Sequence, residues 1–270
     1  MNFRLDGKVA SITGGAGILC AQIAKGLAES GAKIALLDIC EEKVKNVAKQ
    51  ICADGYEAIA LKCNVLDKES MQQACSQIID RYGKVDILIN GAGGNKANAT
   101  TSENLFFYDI PEEAIKWVFD LNLMGTILPT QVFGKVFAEI KDGCVINISS
   151  MAAFLPLTRT FAYSAAKAGV SNFTQWMATH FCHEYSSNIR VNAIAPGFLL
   201  TAQNKYLLVD EETGQSTERG AKIIAGTPMG RYGNPDELVG AVVFLCSPAA
   251  SFVNGVVLPV DGGYAAYSGV

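Results

Sequence analysis

Apolar runs of strand length alternate along this chain with longer segments whose apolar positions recur at helical spacing. The strand candidates are residues 9–13, 34–38, 58–62, 87–90, 145–149, 191–195 and 256–260. Between them, residues 20–30, 41–53, 68–82, 111–140, 162–186 and 235–246 read as helices. Nearly continuous apolar strands, each followed by a helix, predict a doubly wound α/β fold. Its core is a parallel sheet of about seven strands with helices on both faces. No linker-like stretch or short repeat divides the sequence, so a single domain over residues 1–270 is expected. Two segments break the rhythm, at about residues 94–110 and 198–233. Both follow strands and should overhang the carboxyl edge of the sheet, where ligands bind in open α/β folds. Substrate loops are the expectation for both.

Composition changes this picture little but narrows the function. Half of the 270 residues are hydrophobic and 18% are charged, which suits a compact chain with a sizeable core. The formal net charge is −4 and there is no basic stretch, so nothing in the chain attracts nucleic acid. Eight cysteines stand apart without a CxxC pair and read as reduced, mostly buried small hydrophobes. The start, MNFRLDGKVASITG, runs straight into a strand, with no signal peptide in view. No window approaches the roughly 18 apolar residues that a membrane helix needs. The expectation is a cytoplasmic protein with a small-molecule partner and no membrane.

The first strand leads into Thr13-Gly14-Gly15-Ala16-Gly17-Ile18-Leu19-Cys20 and then a helix. Glycines there let the backbone approach a pyrophosphate, which sits on the amide groups of the helix start. Asp38 ends the second strand, where a dinucleotide fold places an acid on the ribose hydroxyls. A carboxylate accepts hydrogen bonds from a 2′-OH and repels a 2′-phosphate, and no Arg follows Asp38. NAD(H) is therefore favoured over NADP(H).

Tyr163 and Lys167 stand four apart on one helix face, and Ser149-Ser150 ends an apolar strand shortly before them. Hydride transfer to a ketone needs a proton donor for the developing alkoxide. An ordinary tyrosine, with a pKa near 10, is slow to serve as the base in reverse. A neighbouring ammonium stabilises the phenolate, and a serine hydroxyl can hold the substrate oxygen.

Taken together, TGGAG, Asp38, NGAG at Asn90-Gly91-Ala92-Gly93, LNLMG, INISS, YSAAK, RVNAIAPGFLLT and VDGG resemble the short-chain dehydrogenase/reductase family over essentially the whole chain. The resemblance implies a Rossmann-like fold and NAD(P)-dependent chemistry on a carbonyl or alcohol. In that family the serine stands thirteen positions before the tyrosine, which selects Ser150. By the same resemblance, Tyr163 is the acid/base and Ser150 holds the reacting oxygen. Lys167 meets the nicotinamide ribose and lowers the pKa of Tyr163, and Asn122 supports a water-linked proton relay. Gly14, Gly15, Gly17, Ile18 and Leu19 form the phosphate turn, while Asn90, Gly91, Ala92 and Gly93 pack beside the adenosine ribose. Asn64-Val65 takes the place of the usual Asp-Val adenine contact, and Pro196-Gly197 with Thr201 meets the nicotinamide. One departure stands out: the family's TGxxxGxG turn has Ile18 and Cys20 where its second and third glycines belong. The resemblance also implies a homotetramer, pairing helices 111–140 and 162–186 across one interface and the last strand across another.

Within the family, GGNKANATT, LPTQVFGK, APGFLLTAQN, TPMGRYGNP and the terminal AYSGV resemble the branch of D-mannonate oxidoreductases, or fructuronate reductases. Other keto-sugar acids or polyols, in the manner of gluconate 5-dehydrogenases, are the alternative. A non-catalytic nucleotide-binding protein would have no use for Asn122, Ser150, Tyr163 and Lys167 together. A substrate carboxylate needs a cationic partner, and Lys96 and Arg159 are the positive residues nearest the expected chemistry in sequence. Gln203 and Asn204 are candidate hydroxyl contacts. His180 and His183 flank Cys182, but no further cluster completes a metal site, so no metal is expected.

Overall fold

The computed structural model describes residues 2–201, 205–210 and 213–269. Its strands are β1 (Val9–Thr13), β2 (Lys33–Asp38), β3 (Ala58–Lys62), β4 (Ile87–Asn90), β5 (Gly143–Ile148), β6 (Ile189–Pro196) and β7 (Val257–Val260). They form one parallel sheet in the order β3-β2-β1-β4-β5-β6-β7. The helices are α1 (Ile18–Glu29), α2 (Glu41–Ala53), α3 (Lys68–Tyr82), α4 (Glu112–Phe119), α5 (Gly125–Ile140), α6 (Phe161–Glu184), α7 (Lys205–Leu208), α8 (Glu218–Ala225) and α9 (Val239–Cys246). None of the described helices is long and apolar enough to cross a membrane.

Successive strand residues face opposite sides, so each strand feeds two cores. On one side Ile34, Leu36, Ile89 and Ile146 meet Ile23 and Leu27 of α1 and Val242 and Leu245 of α9. On the other, Ala35, Leu37, Leu88 and Val145 meet Met71 and Ile78 of α3, Phe133 and Phe137 of α5, and Phe181 of α6. Such two-sided burial explains why the central strands read as nearly continuous apolar runs. Thr13 at the end of β1 lies in register with Leu37 on one side and Asn90 on the other. Chain order reverses there, and a crevice opens beyond the strand ends.

Two elements differ from the sequence reading. The single helix expected over 111–140 is three pieces: α4, a π-helical turn at Asp120–Met124, and α5. Pro129 inside α5 has no N–H to give, and threonine hydroxyls take over nearby carbonyls: Thr126 donates to the Asn122 oxygen and Thr130 to the Thr126 oxygen, at 2.9 and 2.8 Å. Apolar spacing alone does not reveal such a change of pitch. The loop at 198–233 also carries helices α7 and α8, the latter started by Thr217, whose side chain accepts from the Gly220 N–H at 3.0 Å.

Candidate active site

From Thr13 the chain turns through Gly14-Gly15-Ala16-Gly17 into α1. Gly14 has φ +64°, and a Cβ on it would press within 2.8–2.9 Å of the Ala92 and Gly91 backbone, so only glycine fits. The Thr13 hydroxyl accepts from the N–H groups of Gly91 and Ala92 at 3.1 and 3.3 Å, which clamps the turn to the end of β4. Gly17 caps α1 with no side chain over the first-turn N–H groups, and that turn holds no acid. Ile18 and Leu19 open the helix half-buried. Exposed amides at the positive end of a helix suit a pyrophosphate. The Asp38 carboxylate accepts from Ala16 N–H at 3.0 Å and Cys40 N–H at 2.9 Å, which ties it to the turn and leaves lone pairs for a diol. At the end of β3, Asn64 is exposed and Val65 is buried against Gly125. A nicotinamide dinucleotide fits this donor set.

Cys20 explains how the turn manages without its third motif glycine. Its side chain lies over Gly91, where any Cβ would collide with the sulfur. Room lost on α1 is recovered on the strand beside it. Burial, with the Asp38 charge nearby, pushes the thiol up to about 12, so it stays neutral and inert.

Asn90 turns its side chain inward and is 1% exposed. It donates to Thr130 Oγ1 at 2.9 Å and Asn147 Oδ1 at 2.8 Å, and Asn147 in turn donates to Thr174 Oγ1 at 2.9 Å. This buried chain joins β4 and β5 to α5 and α6, leaving the backbone at Gly91, Ala92 and Gly93 to run along the crevice. A Cβ on Gly93 would lie 2.8 Å from Asn122 Oδ1 and 3.3 Å from Lys167 Nζ, so three elements converge there.

The π turn sets Asn122. Its Oδ1 accepts from Gly94 N–H at 3.1 Å, while its Nδ2 donates to the carbonyls of Gly94 at 2.7 Å and Val118 at 2.8 Å. Lys167, 4% exposed, donates to the Ile148 carbonyl at 2.7 Å, and its Nζ lies 5.7 Å from the Tyr163 ring centre. Burial pulls this amine down to about 8. Burial also pushes the Tyr163 phenol up, with a hydrogen bond to Ser150 pulling the other way. Ser150 Oγ accepts from Ala152 N–H at 3.1 Å, so its own proton is free to donate. Ser149 is spent elsewhere, bonded to Ser171 Oγ at 2.7 Å and the Lys167 carbonyl at 3.3 Å. An acid, a second donor and a buried amine thus meet at one point of the crevice.

The family model for Enoyl-(Acyl carrier protein) reductase matches residues 15–265. An uncharacterized oxidoreductase of Haemophilus influenzae is 50% identical over 280 residues, 100% of this chain and 97% of that one. The chain belongs to the short-chain dehydrogenase/reductase family. A Haemophilus influenza protein solved with bound NAD, and provisionally named a D-mannonate oxidoreductase, matches with TM-score 0.93 and 48% identity, over 99% of this chain and 98% of that one. A gluconate 5-dehydrogenase from Burkholderia cenocepacia, in complex with NADP and tartrate, matches with TM-score 0.86 and 32% identity, over 98% of each. This short-chain dehydrogenase/reductase is therefore an NAD(P)-dependent oxidoreductase acting on alcohol groups.

Of the remaining expected contacts, Gly197 donates to the Val260 carbonyl at 3.0 Å and packs on the Asp261 backbone, which fixes the chain leaving Pro196. Thr201 accepts the Lys205 N–H at 3.0 Å at the start of α7. Gln203 and Asn204 lie outside the described residues. Lys96 Nζ sits over the Trp117 ring, 4.0 Å from its centre. Arg159 lines a cleft of about 390 Å³ with Phe198, Tyr264, and Glu218, Arg219 and Lys222 of α8. The sequence reading missed the two α8 cations because it looked for charges near Tyr163 along the chain. The signal available was the amphipathic spacing of ERGAKIIA. His180 stacks on Trp176 with ring centres 4.6 Å apart and meets Tyr185 edge-on, an aromatic packing arrangement on α6.

Proposed function

We propose that this short-chain dehydrogenase/reductase reduces the ketone of a sugar acid, D-fructuronate, to the alcohol of D-mannonate, with NAD(H) favoured over NADP(H). The observation that carries the reading is the whole-length likeness to the NAD-bound protein named for D-mannonate. When bound, the nicotinamide supplies the hydride. The Tyr163 hydroxyl gives its proton to the ketone oxygen, and Ser150 donates a hydrogen bond to that same oxygen. Lys167 spends one N–H on Ile148 and has two left for the nicotinamide ribose. Asn122, beside Lys167 at Gly93, supports a water-linked relay that returns a proton to Tyr163. Gly14, Gly15 and Gly17 with the start of α1 take the pyrophosphate, and Asp38 takes the adenosine ribose.

A panel of keto acids, neutral ketoses and polyols, followed by NADH oxidation or NAD reduction, tests this reading. D-Fructuronate should give the highest kcat/KM, and NADH should outperform NADPH. Asp38→Ser should narrow that preference, since it removes the charge that repels a 2′-phosphate. Equal use of both cofactors by the unaltered protein would take Asp38 off the ribose, and a neutral ketose as best substrate would take the sugar acid out of the reading.

A homotetramer is proposed with it. Phe173, Trp176, Met177 and Phe181 of α6 line an apolar groove of about 760 Å³ against Gly134 and Ala138 of α5, and β7 is a sheet edge. Apolar grooves and open edges of this size call for a cover, and a second copy supplies one at each. Sedimentation at four times the chain mass is the expected outcome; a monomer would remove the proposal.

A further inference from the structure

The cleft beside Arg159 deepens the sugar-acid reading, and its assignment rests on that reading. Four charged side chains reach it: Arg159 from the loop that leads into α6, and Glu218, Arg219 and Lys222 from α8. Lys222 is committed, holding Glu218 at 2.7 Å along the helix. That contact, with the Arg159 charge added, keeps the Glu218 carboxyl below its usual range and ionised. Lys96, the other cation considered from sequence, rests on the Trp117 ring. Among the described residues, neither Arg159 nor Arg219 makes an ion pair. Two guanidinium groups that make no close ion pair therefore line one cleft from separate elements, beside the Glu218 carboxylate that Lys222 holds and with Phe198 and Tyr264 next to them, their rings edge to face at 5.1 Å.

The backbone under Arg159 gives an independent reason to read this as a site. Arg159 has φ +73°, in the left-handed region that a side chain with a Cβ enters only at a cost. It is held there by the Thr101 N–H, which donates to its carbonyl at 3.0 Å. Thr101 belongs to the irregular segment at about 94–110, so that segment is tied to the loop before α6 at the residue that carries the guanidinium. The chain then runs from Arg159 into the first turn of α6 and reaches Tyr163 one turn later. Phe198 directly follows Pro196-Gly197 at the end of β6. The cleft thus adjoins both segments that frame the expected chemistry.

We propose that Arg159 and Arg219 form a two-guanidinium clamp for the carboxylate of a keto-sugar acid, and so determine the specificity of this enzyme for acids over neutral sugars. A planar fork from each element suits a carboxylate with two oxygens, and guanidinium is charged throughout the working pH range. Lys222 keeps Glu218 from competing for the clamp. Arg219 lies on α8, within the long loop, so the acid end of the substrate holds that helix over the cleft as it binds.

Steady-state kinetics on Arg159→Met, Arg219→Met and Arg219→Lys test the clamp against D-fructuronate and an uncharged ketohexose. For each Met variant, KM for the uronate should rise about tenfold or more, the equivalent of about 1.4 kcal/mol, with kcat within about twofold. Their kinetics with the neutral sugar should stay as in the unaltered enzyme. Arg219→Lys keeps the charge and should recover part of the loss, and the KM of the unaltered enzyme for the uronate should rise with salt. Arg219 is exposed, so folding should survive each change at that position, with an unaltered Tm as the check. If the unaltered enzyme reduces uronates well and the Met variants leave KM unchanged, the clamp is wrong and the sugar-acid reading stands. If only neutral sugars are reduced, both fall.

Discussion

Tyr163→Phe should abolish turnover while leaving the fold and NADH binding nearly intact. The Tyr163 ring packs beside the small cluster of Ala99, Ala114, Val118 and Ala162, and phenylalanine keeps every one of those contacts. What is lost is a hydroxyl whose partner in the structure is Ser150. Among the neighbouring hydroxyls and thiols, Ser149 is engaged twice over and Cys20 is pushed up to about 12, so neither replaces the phenol as proton donor to a developing alkoxide. General acid–base catalysis contributes about 10²–10⁴-fold, and that is the drop expected in kcat. The upward push on the phenol favours the reductive direction, which needs Tyr163 protonated at the start of each cycle. Fluorescence titration with NADH should give a Kd close to that of the unaltered protein. A variant that kept its kcat would remove Tyr163 from the chemistry.

Lys167→Met should separate stability from activity, with the two moving in opposite directions. The amine is buried, and burial brings it down from 10.5 to about 8. Below pH 8 the folded protein holds a charge that the unfolded chain would keep in water, so this residue works against folding. As pH rises from 8 toward 10.5, the folded state gives up the proton first and the penalty fades, so stability contributed through this group rises with pH. At about 1.4 kcal/mol per pH unit the penalty is on the order of 3 kcal/mol at neutral pH. Losing the bond to the Ile148 carbonyl returns about 1 kcal/mol of that. Methionine at 167 should therefore raise Tm at pH 7, with the gain shrinking as the buffer approaches pH 10, while kcat falls and NADH binds more weakly. A Tm lowered at pH 7, or a gain that grew with pH, would show that the ammonium is well solvated in the folded protein.

Most of the sheet was legible in the sequence because two-sided burial leaves the central strands with few polar positions to blur them. β1, β3 and β4 fall where the apolar runs begin and end. The α/β alternation carried the parallel sheet with helices on both faces, while the strand order and its reversal between β1 and β4 come from the structure. Local spacing also brought out Tyr163 with Lys167, and the structure adds why Ser150 differs from Ser149: the first keeps a free proton and the second does not. What the sequence hid was pitch and direction. The π turn that aims Asn122 at Gly94 has the same apolar rhythm as a straight helix, so helix 111–140 read as one piece. Asn90 reads as a crevice residue by position, yet its side chain points away, because an amide between two strands finds its partners in Thr130 and Asn147. Arg219 went unnoticed because its distance from Tyr163 along the chain says nothing of the fold that returns α8 to the cleft.

The contact between Cys20 and Gly91 makes these two positions interdependent. A side chain at 91 has nowhere to go while Cys20 keeps its sulfur there, and glycine at 20 would leave a gap beneath the turn. Either change alone therefore costs the turn its packing, and the two positions exchange only as a pair. An apparent lapse in the motif is thus one half of a matched contact, the sulfur filling the space that the missing side chain at 91 leaves.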